Sequence, residues 1–72
     1  MALTQFDYER VLEAARELAR EGRRMTAGYG AMDVAGEAYE RSAVESEFGA
    51  HDLSVAQVHG IWDAYHEIMP RP

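Results

Sequence analysis

The segment from Ser54 to Met69, SVAQVHGIWDAYHEIM, constrains the fold of this chain more than any other stretch. It contains the only tryptophan, and its apolar residues recur at spacings of three and four, which place them on one side of a helix. These residues are Val55, Val58, Trp62, Tyr65 and Met69. Ile61 and Ile68 widen this stripe into the broad apolar face that is typical of a helix in a globular core. Other parts of the chain must therefore cover it.

Both ends of this helix are marked in the sequence. Ser54 followed by Gln57 three residues later is the pattern of a capping box, in which side chains satisfy the first free N–H groups of a helix. Pro70 predicts the other end, because the residue before a proline is disfavoured in helical geometry. We therefore predict a helix near residues 54–69.

An earlier amphipathic segment begins with Thr4, whose pairing with Asp7 predicts a helix N-terminus. Projected at about 100° per residue, its apolar side chains fall on one side and its alternating glutamates and arginines on the other. Gly22 is a suitable end for this helix, although the sequence leaves open a continuation to Met25. We predict a helix near residues 4–22.

A middle helix is predicted near residues 32–48, ending at Gly49. Gly36 costs it up to about 1 kcal/mol relative to alanine. Three helices with short connections predict an all-α, compact three-helix bundle that forms a single helical domain over residues 1–72. The predicted core consists of Leu12, Leu18, Met32, Tyr39, Val55, Val58, Ile61, Trp62 and Tyr65.

Length and composition limit the classes of protein that this chain can belong to. A chain of 72 residues is near the lower size limit of a domain, and without cysteine it has neither disulfides nor thiolate metal sites. It contains no apolar run near the ~20 residues that a membrane-spanning helix needs, and no signal-peptide pattern. These features predict a cytoplasmic protein without a membrane segment. The sequence leaves open whether it forms a homodimer.

The charge of the chain is unevenly distributed. The first 24 residues contain five acidic residues and five arginines, whereas the remainder carries eight acidic residues against Arg41 and Arg71. That remainder accounts for the whole net charge of −6. A surface of this sign repels phosphate backbones and attracts basic groups.

Acidic residues also align along the predicted middle helix. Asp33, Glu37, Glu40 and Glu47 lie at offsets of 0, 4, 7 and 14, with Val44 at offset 11. Aligned like charges cost a few tenths of a kcal/mol per pair, which a basic partner would relieve. Our first hypothesis is a small acidic non-enzymatic protein-binding module, an adaptor, regulator or inhibitor, that binds a basic surface through these residues. A merely solvated outer face is the simpler alternative.

The second hypothesis is a helix-turn-helix-like nucleic-acid-binding regulator, based on the outline of residues 43–65. Its exposed positions are poor in the basic and amide side chains that read base edges. The only basic cluster near an aromatic residue lies earlier, in Arg20, Arg23 and Arg24 with Tyr29. Nucleic-acid binding is therefore disfavoured, because such proteins show a basic surface first.

The third hypothesis is a small metal-binding helical protein. His59, Asp63 and His66 lie at i, i+4 and i+7, which places two imidazoles and a carboxylate along one side of a helix. They border the apolar stripe, where polar residues normally lie, so this set is a weak candidate and we expect no metal or other cofactor. The sequence shows no nucleophile elbow, zinc helix or phosphate loop, and we therefore predict that the protein is not an enzyme.

Overall fold

A computed structural model of the chain describes residues 3–22, 30–44 and 49–71. Three α-helices form a bundle in which each helix contacts the other two. Their bounds are α1 Gln5–Arg20, α2 Ala31–Ser42 and α3 Val55–His66. A short 3-10 helix, Ala50–Asp52, precedes α3 and contacts α2. The predicted all-α class and three-helix bundle are thereby confirmed.

Polar contacts between the helices show their relative directions. Near the start of both helices, the Tyr8 hydroxyl of α1 donates to the Gln57 carbonyl of α3 at 3.0 Å. Two turns further on, Arg16 Nε donates to Glu67 Oε2 at 2.9 Å. α1 and α3 therefore run parallel. α2 runs in the opposite direction, because the carbonyl at its C-terminal residue, Ser42, accepts from Arg10 near the start of α1 at 3.0 Å.

The predicted helix starts at Thr4 and Ser54 are confirmed by their hydrogen bonds. Thr4 Oγ1 accepts from the Asp7 N–H at 3.0 Å. At the start of α3, Ser54 Oγ accepts from the Gln57 N–H at 3.1 Å, and Gln57 Oε1 accepts in return from the Ser54 N–H at 2.9 Å. Both helices therefore begin where short-range side-chain chemistry predicts.

α1 ends at Arg20, and Gly22 adopts a φ of +73°, in the left-handed region. The N–H of Gly22 donates to the Ala19 carbonyl at 3.0 Å. Glycine enters this region without a Cβ clash, which is why it commonly follows helix ends. The sequence left open whether this helix ends at Gly22 or continues to Met25, and the structure shows the end at Gly22.

The predicted C-terminal end of the middle helix was wrong. α2 ends at Ser42 rather than near residue 48, because Ala43 adopts a left-handed conformation with φ 54° and ψ 33°. The turn redirects the chain so that Val44 enters the core, where it is only 8% exposed. Burial of a valine favours this turn, whereas an alanine gives no sequence signal for it.

Ala43→Gly is therefore expected to stabilise the protein by about 0.5–1 kcal/mol. The left-handed region costs a non-glycine residue about 1–2 kcal/mol, and glycine avoids this cost. Glycine also loses more conformational freedom on folding, which offsets part of the gain. Urea denaturation of the variant and the wild type measures the difference. A loss of stability would contradict the left-handed assignment of this residue.

The core lies where the three helices meet. Its buried apolar side chains are Val11, Ala14, Ala15, Leu18, Ala19, Val34, Ala35, Ala38, Val44, Val58, Ile61, Ala64, Tyr65 and Met69. Four predicted core residues are among them, namely Leu18, Val58, Ile61 and Tyr65. Three others, Leu12, Tyr39 and Trp62, are partly buried and pack against this cluster.

Two predicted core residues are exposed instead. Met32 is 43% exposed, because the inward side of α2 is formed by small residues, including Ala35 and Ala38. Val55 is 73% exposed, since it lies in the first turn of α3, at the end of the bundle. Neither side chain contributes fully to the core.

Candidate functional site

The outer side of α2 carries acidic side chains, as the sequence predicted. Val34, Ala35 and Ala38 point inward and are fully buried. Helical periodicity places Asp33, Glu37 and Glu40 on the opposite side, which we call the α2 acidic face. Asp33 and Glu37 are partly exposed and Glu40 is exposed. A partner can therefore reach all three carboxylates.

Asp33 also has a structural role, which the sequence analysis missed. Its Oδ2 accepts from the Gly30 N–H at 2.8 Å, so the carboxylate caps the N-terminal end of α2. A negative charge there is also favourable to the helix dipole. The position of Asp33 therefore has an explanation within the chain.

Arg41 lies at the border between the α2 acidic face and α1, and carboxylates surround it. Its guanidinium donates to Glu21 Oε2. That hydrogen bond is the main reason why the pKa of Arg41 is raised, and the charges of Glu17 and Glu37 raise it further. Arg41 thus interacts with carboxylates on both the α1 and the α2 side.

Every arginine in the described part of the chain donates a hydrogen bond to an oxygen of the same chain. Their acceptors are the Ser42 carbonyl for Arg10, Glu67 and Glu13 for Arg16, Glu13 for Arg20, Glu21 for Arg41, and Asp63 for Arg71. Arg20 and then Arg16 lower the pKa of the Glu13 carboxyl. The carboxylates that accept from these arginines, Glu13, Glu21, Asp63 and Glu67, belong to α1 and α3 or follow directly after their C-terminal residues.

One member of the predicted partner-binding set does not join this face, and the structure does not describe another. Val44 was expected to be an exposed apolar contact, but it belongs to the core because the chain leaves helical geometry at Ala43. Glu47 lies outside the described residues. Among the described residues, the predicted stripe consists of Asp33, Glu37 and Glu40.

A shallow cleft of about 220 Å³ separates α1 from the C-terminal end of α2. Its lining residues are Arg10, Glu13, Ala14, Glu17, Arg41 and Ser42. Most of these side chains have partners within the protein, and the Ser42 hydroxyl donates to the Tyr39 carbonyl at 2.6 Å. The cleft thus contains charges of both signs held by hydrogen bonds.

The three weak metal candidates on α3 have different surroundings in the structure. Asp63 accepts from Arg71 at 2.9 Å, and His66 Nδ1 lies 2.9 Å from the Met69 carbonyl oxygen. The His66 ring contacts the Trp62 ring edge-on at a centroid distance of 4.4 Å, while His59 is exposed. Within the part of the chain that the structure describes, no three His, Cys, Asp or Glu side chains converge to hold a metal ion.

The residues of the basic cluster are only partly described. Arg20 donates to Glu13 at 2.8 Å, which engages its charge within α1. Arg23, Arg24 and Tyr29 lie outside the described residues. The structure therefore adds nothing that favours nucleic-acid binding.

Among the described residues, no helix has both the length and the apolar character needed to cross a bilayer. Comparison of the chain with protein-family models, with curated proteins and with solved structures gave no match.

Proposed function

We propose that this protein is a small non-enzymatic binding module whose α2 acidic face binds a partner protein with a basic surface. It would act as an adaptor, regulator or inhibitor of that partner. The observation that carries the proposal is the position of Asp33, Glu37 and Glu40 on the outer side of α2, where a partner can reach their carboxylates.

Electrostatics gives such a face a specific role in binding. Complementary charge mainly speeds association and selects among partners, rather than supplying most of the affinity. The net charge of −6 adds a long-range attraction toward basic proteins. The same charge repels nucleic acids, whose binding depends on neutralising phosphates.

Glu37→Gln/Glu40→Gln is expected to weaken partner binding while leaving the fold intact. Both side chains lie on the outer side of α2, and surface changes of this kind usually alter stability by no more than about 0.5 kcal/mol. Asp33 is left unchanged because it caps α2. Immobilised wild type and variant are exposed to a native host lysate at low and at physiological ionic strength, and the retained proteins are quantified by mass spectrometry.

A matched control removes the same number of charges elsewhere. Glu9→Gln/Asp63→Asn changes one exposed acid on α1 and one on α3. We expect a basic protein that is retained by the wild type and by this control and lost from the α2 variant. If both variants retain the same proteins as the wild type, the α2 acidic face is only a solvated surface.

A further inference from the structure

Two helices contain an interior glycine, and only one of these glycines has a close packing contact among the described residues. A Cβ atom built on Gly60 in α3 would lie 2.1 Å from the Tyr8 hydroxyl oxygen, so α1 and α3 require a glycine there. A Cβ atom on Gly36 in α2 would meet no heavy atom of the described residues within 4 Å. Glycine is among the least favourable residues in a helix interior. Gly36 therefore weakens α2, and no packing contact with the described residues requires a glycine there.

The residues around Gly36 have two different chemistries. Positions three and four residues away are its neighbours on the helix surface, and these are Met32, Asp33, Tyr39 and Glu40. Met32 is exposed and Tyr39 is partly buried, so apolar side chains lie on one side of the glycine. Asp33 and Glu40 place carboxylates on the other side. Because Gly36 has no side chain, it leaves a gap on the helix surface, which we call the notch. Met32 and Tyr39 lie on one side of the notch, and Asp33 and Glu40 lie on the other.

We infer that Gly36 is the point at which a basic amphipathic helix of the partner protein crosses α2. This inference rests on the proposed function, and it specifies how the partner is held. An apolar side chain of the partner helix fills the notch against Met32 and Tyr39, and its arginine or lysine side chains reach Asp33 and Glu40. The occupant is thereby defined by both its shape and its charge.

Helix packing geometry supports a helix as the occupant. The distance between two packed helices is about 8–10 Å and depends on the side chains at the contact, so a glycine there allows the closest approach. Local rules of folding are typically broken at functional or strained sites, and a costly helix glycine without a packing contact among the described residues breaks one of them. Pairing of two copies of this chain through the same face is disfavoured, because two such acidic faces would repel each other.

The probe for this inference is a fluorescein-labelled synthetic helix with a leucine stripe flanked by arginines. Its binding to the full chain is measured by fluorescence anisotropy. One control peptide replaces the arginines with glutamates, and another replaces the leucines with serines. The inference requires that the first peptide binds and that both control peptides bind more weakly.

Substitutions at Gly36 then test the notch itself. Gly36→Leu fills it, and we expect the affinity for the basic peptide to fall by about tenfold or more, which corresponds to ~1.4 kcal/mol. Gly36→Ala fills it partly and is expected to lower the affinity less, while raising the melting temperature because alanine favours a helix. Ala56→Leu is the matched control, since it adds a leucine at an exposed position of α3.

Each outcome decides one of the two proposals. Weaker binding by Gly36→Leu but not by Ala56→Leu, with both variants folded, supports the inference. Unchanged binding by Gly36→Leu together with weaker binding by Glu37→Gln/Glu40→Gln overturns the notch and leaves the acidic face in place. Equal binding of the arginine and glutamate peptides, or no binding of either, overturns the proposed function together with the inference.

Discussion

Ile61→Ala is expected to leave most of the protein unfolded at room temperature. The Ile61 side chain is fully buried, at 0% exposure, in the cluster that α1, α2 and α3 share. Truncation of such a side chain to alanine costs about 2–5 kcal/mol, because it removes contacts and leaves a cavity. The core of so small a domain rarely supplies more than about 3–5 kcal/mol. One substitution therefore removes most of the stability.

Circular dichroism during thermal melting measures this effect directly. Val55→Ala is the matched control, since it truncates another β-branched residue of α3 that is 73% exposed. We expect the control to change the free energy of unfolding by no more than about 0.5 kcal/mol. Cooperative melting of Ile61→Ala at the wild-type temperature would show that the helices pack differently.

Gly60→Ala is expected to destabilise the protein even though alanine favours helices. The added Cβ atom would lie 2.1 Å from the Tyr8 hydroxyl oxygen, so the ring must move and break its hydrogen bond to the Gln57 carbonyl. Burial raises the pKa of this hydroxyl, with Glu9 and Asp63 adding to the shift, so it stays protonated and donates. Overpacking of this kind costs about 1–3 kcal/mol.

Tyr8→Phe should remove this cost. The remaining ring atom nearest to the new methyl group is Cζ, at 3.4 Å, which is an ordinary contact distance. In the Tyr8→Phe background, Gly60→Ala is therefore expected to be neutral or to stabilise α3 by up to about 1 kcal/mol. Chemical denaturation of the four proteins in this cycle gives the coupling energy. Equal effects of Gly60→Ala in both backgrounds would mean that Tyr8 and Gly60 do not meet.

The sequence predicted most accurately those features that depend on short-range chemistry. The starts of α1 and α3 follow from the side-chain caps at Thr4 and Ser54, each of which bonds three residues along the chain. The end of α1 follows from Gly22 in the same way. These signals act within one turn, so they do not depend on how the helices pack.

The end of α2 was not predictable from such signals. Ala43 favours helices, yet it takes a left-handed conformation because the chain turns there and Val44 is buried. This choice depends on tertiary packing, which outweighs the local preference of one alanine. The same turn explains why Val44 lies in the core and not on the α2 acidic face.

The centre of the core was also shifted from its predicted position. Trp62 was expected to be fully buried, but it lies at the edge of the core, whereas Ile61 and Ala64 are almost completely buried. Gly60 lies against Tyr8 of α1, next to Ile61 and one turn before Ala64, so α1 contacts this side of α3. Periodicity identifies an apolar side of a helix, but it does not show which of its residues a neighbouring helix contacts.

The alignment of Asp33, Glu37 and Glu40 on one side of α2 was predicted from their spacing alone. The capping role of Asp33 could have been suspected from the glycine that lies three residues before it. The exposure of Met32 could not have been predicted from the sequence, since it depends on which side of α2 the other helices cover. The notch at Gly36 became apparent only when its surroundings were compared with those of Gly60.

The outer side of α2 is the proposed binding surface. A nuclear magnetic resonance titration of the ¹⁵N-labelled protein with the basic amphipathic peptide tests it residue by residue. We predict that the largest shifts of the amide signals fall on Met32, Asp33, Gly36, Glu37 and Glu40, and that they shrink as salt is added. Largest shifts on the exposed sides of α1 or α3, with the α2 signals unmoved, would contradict the account.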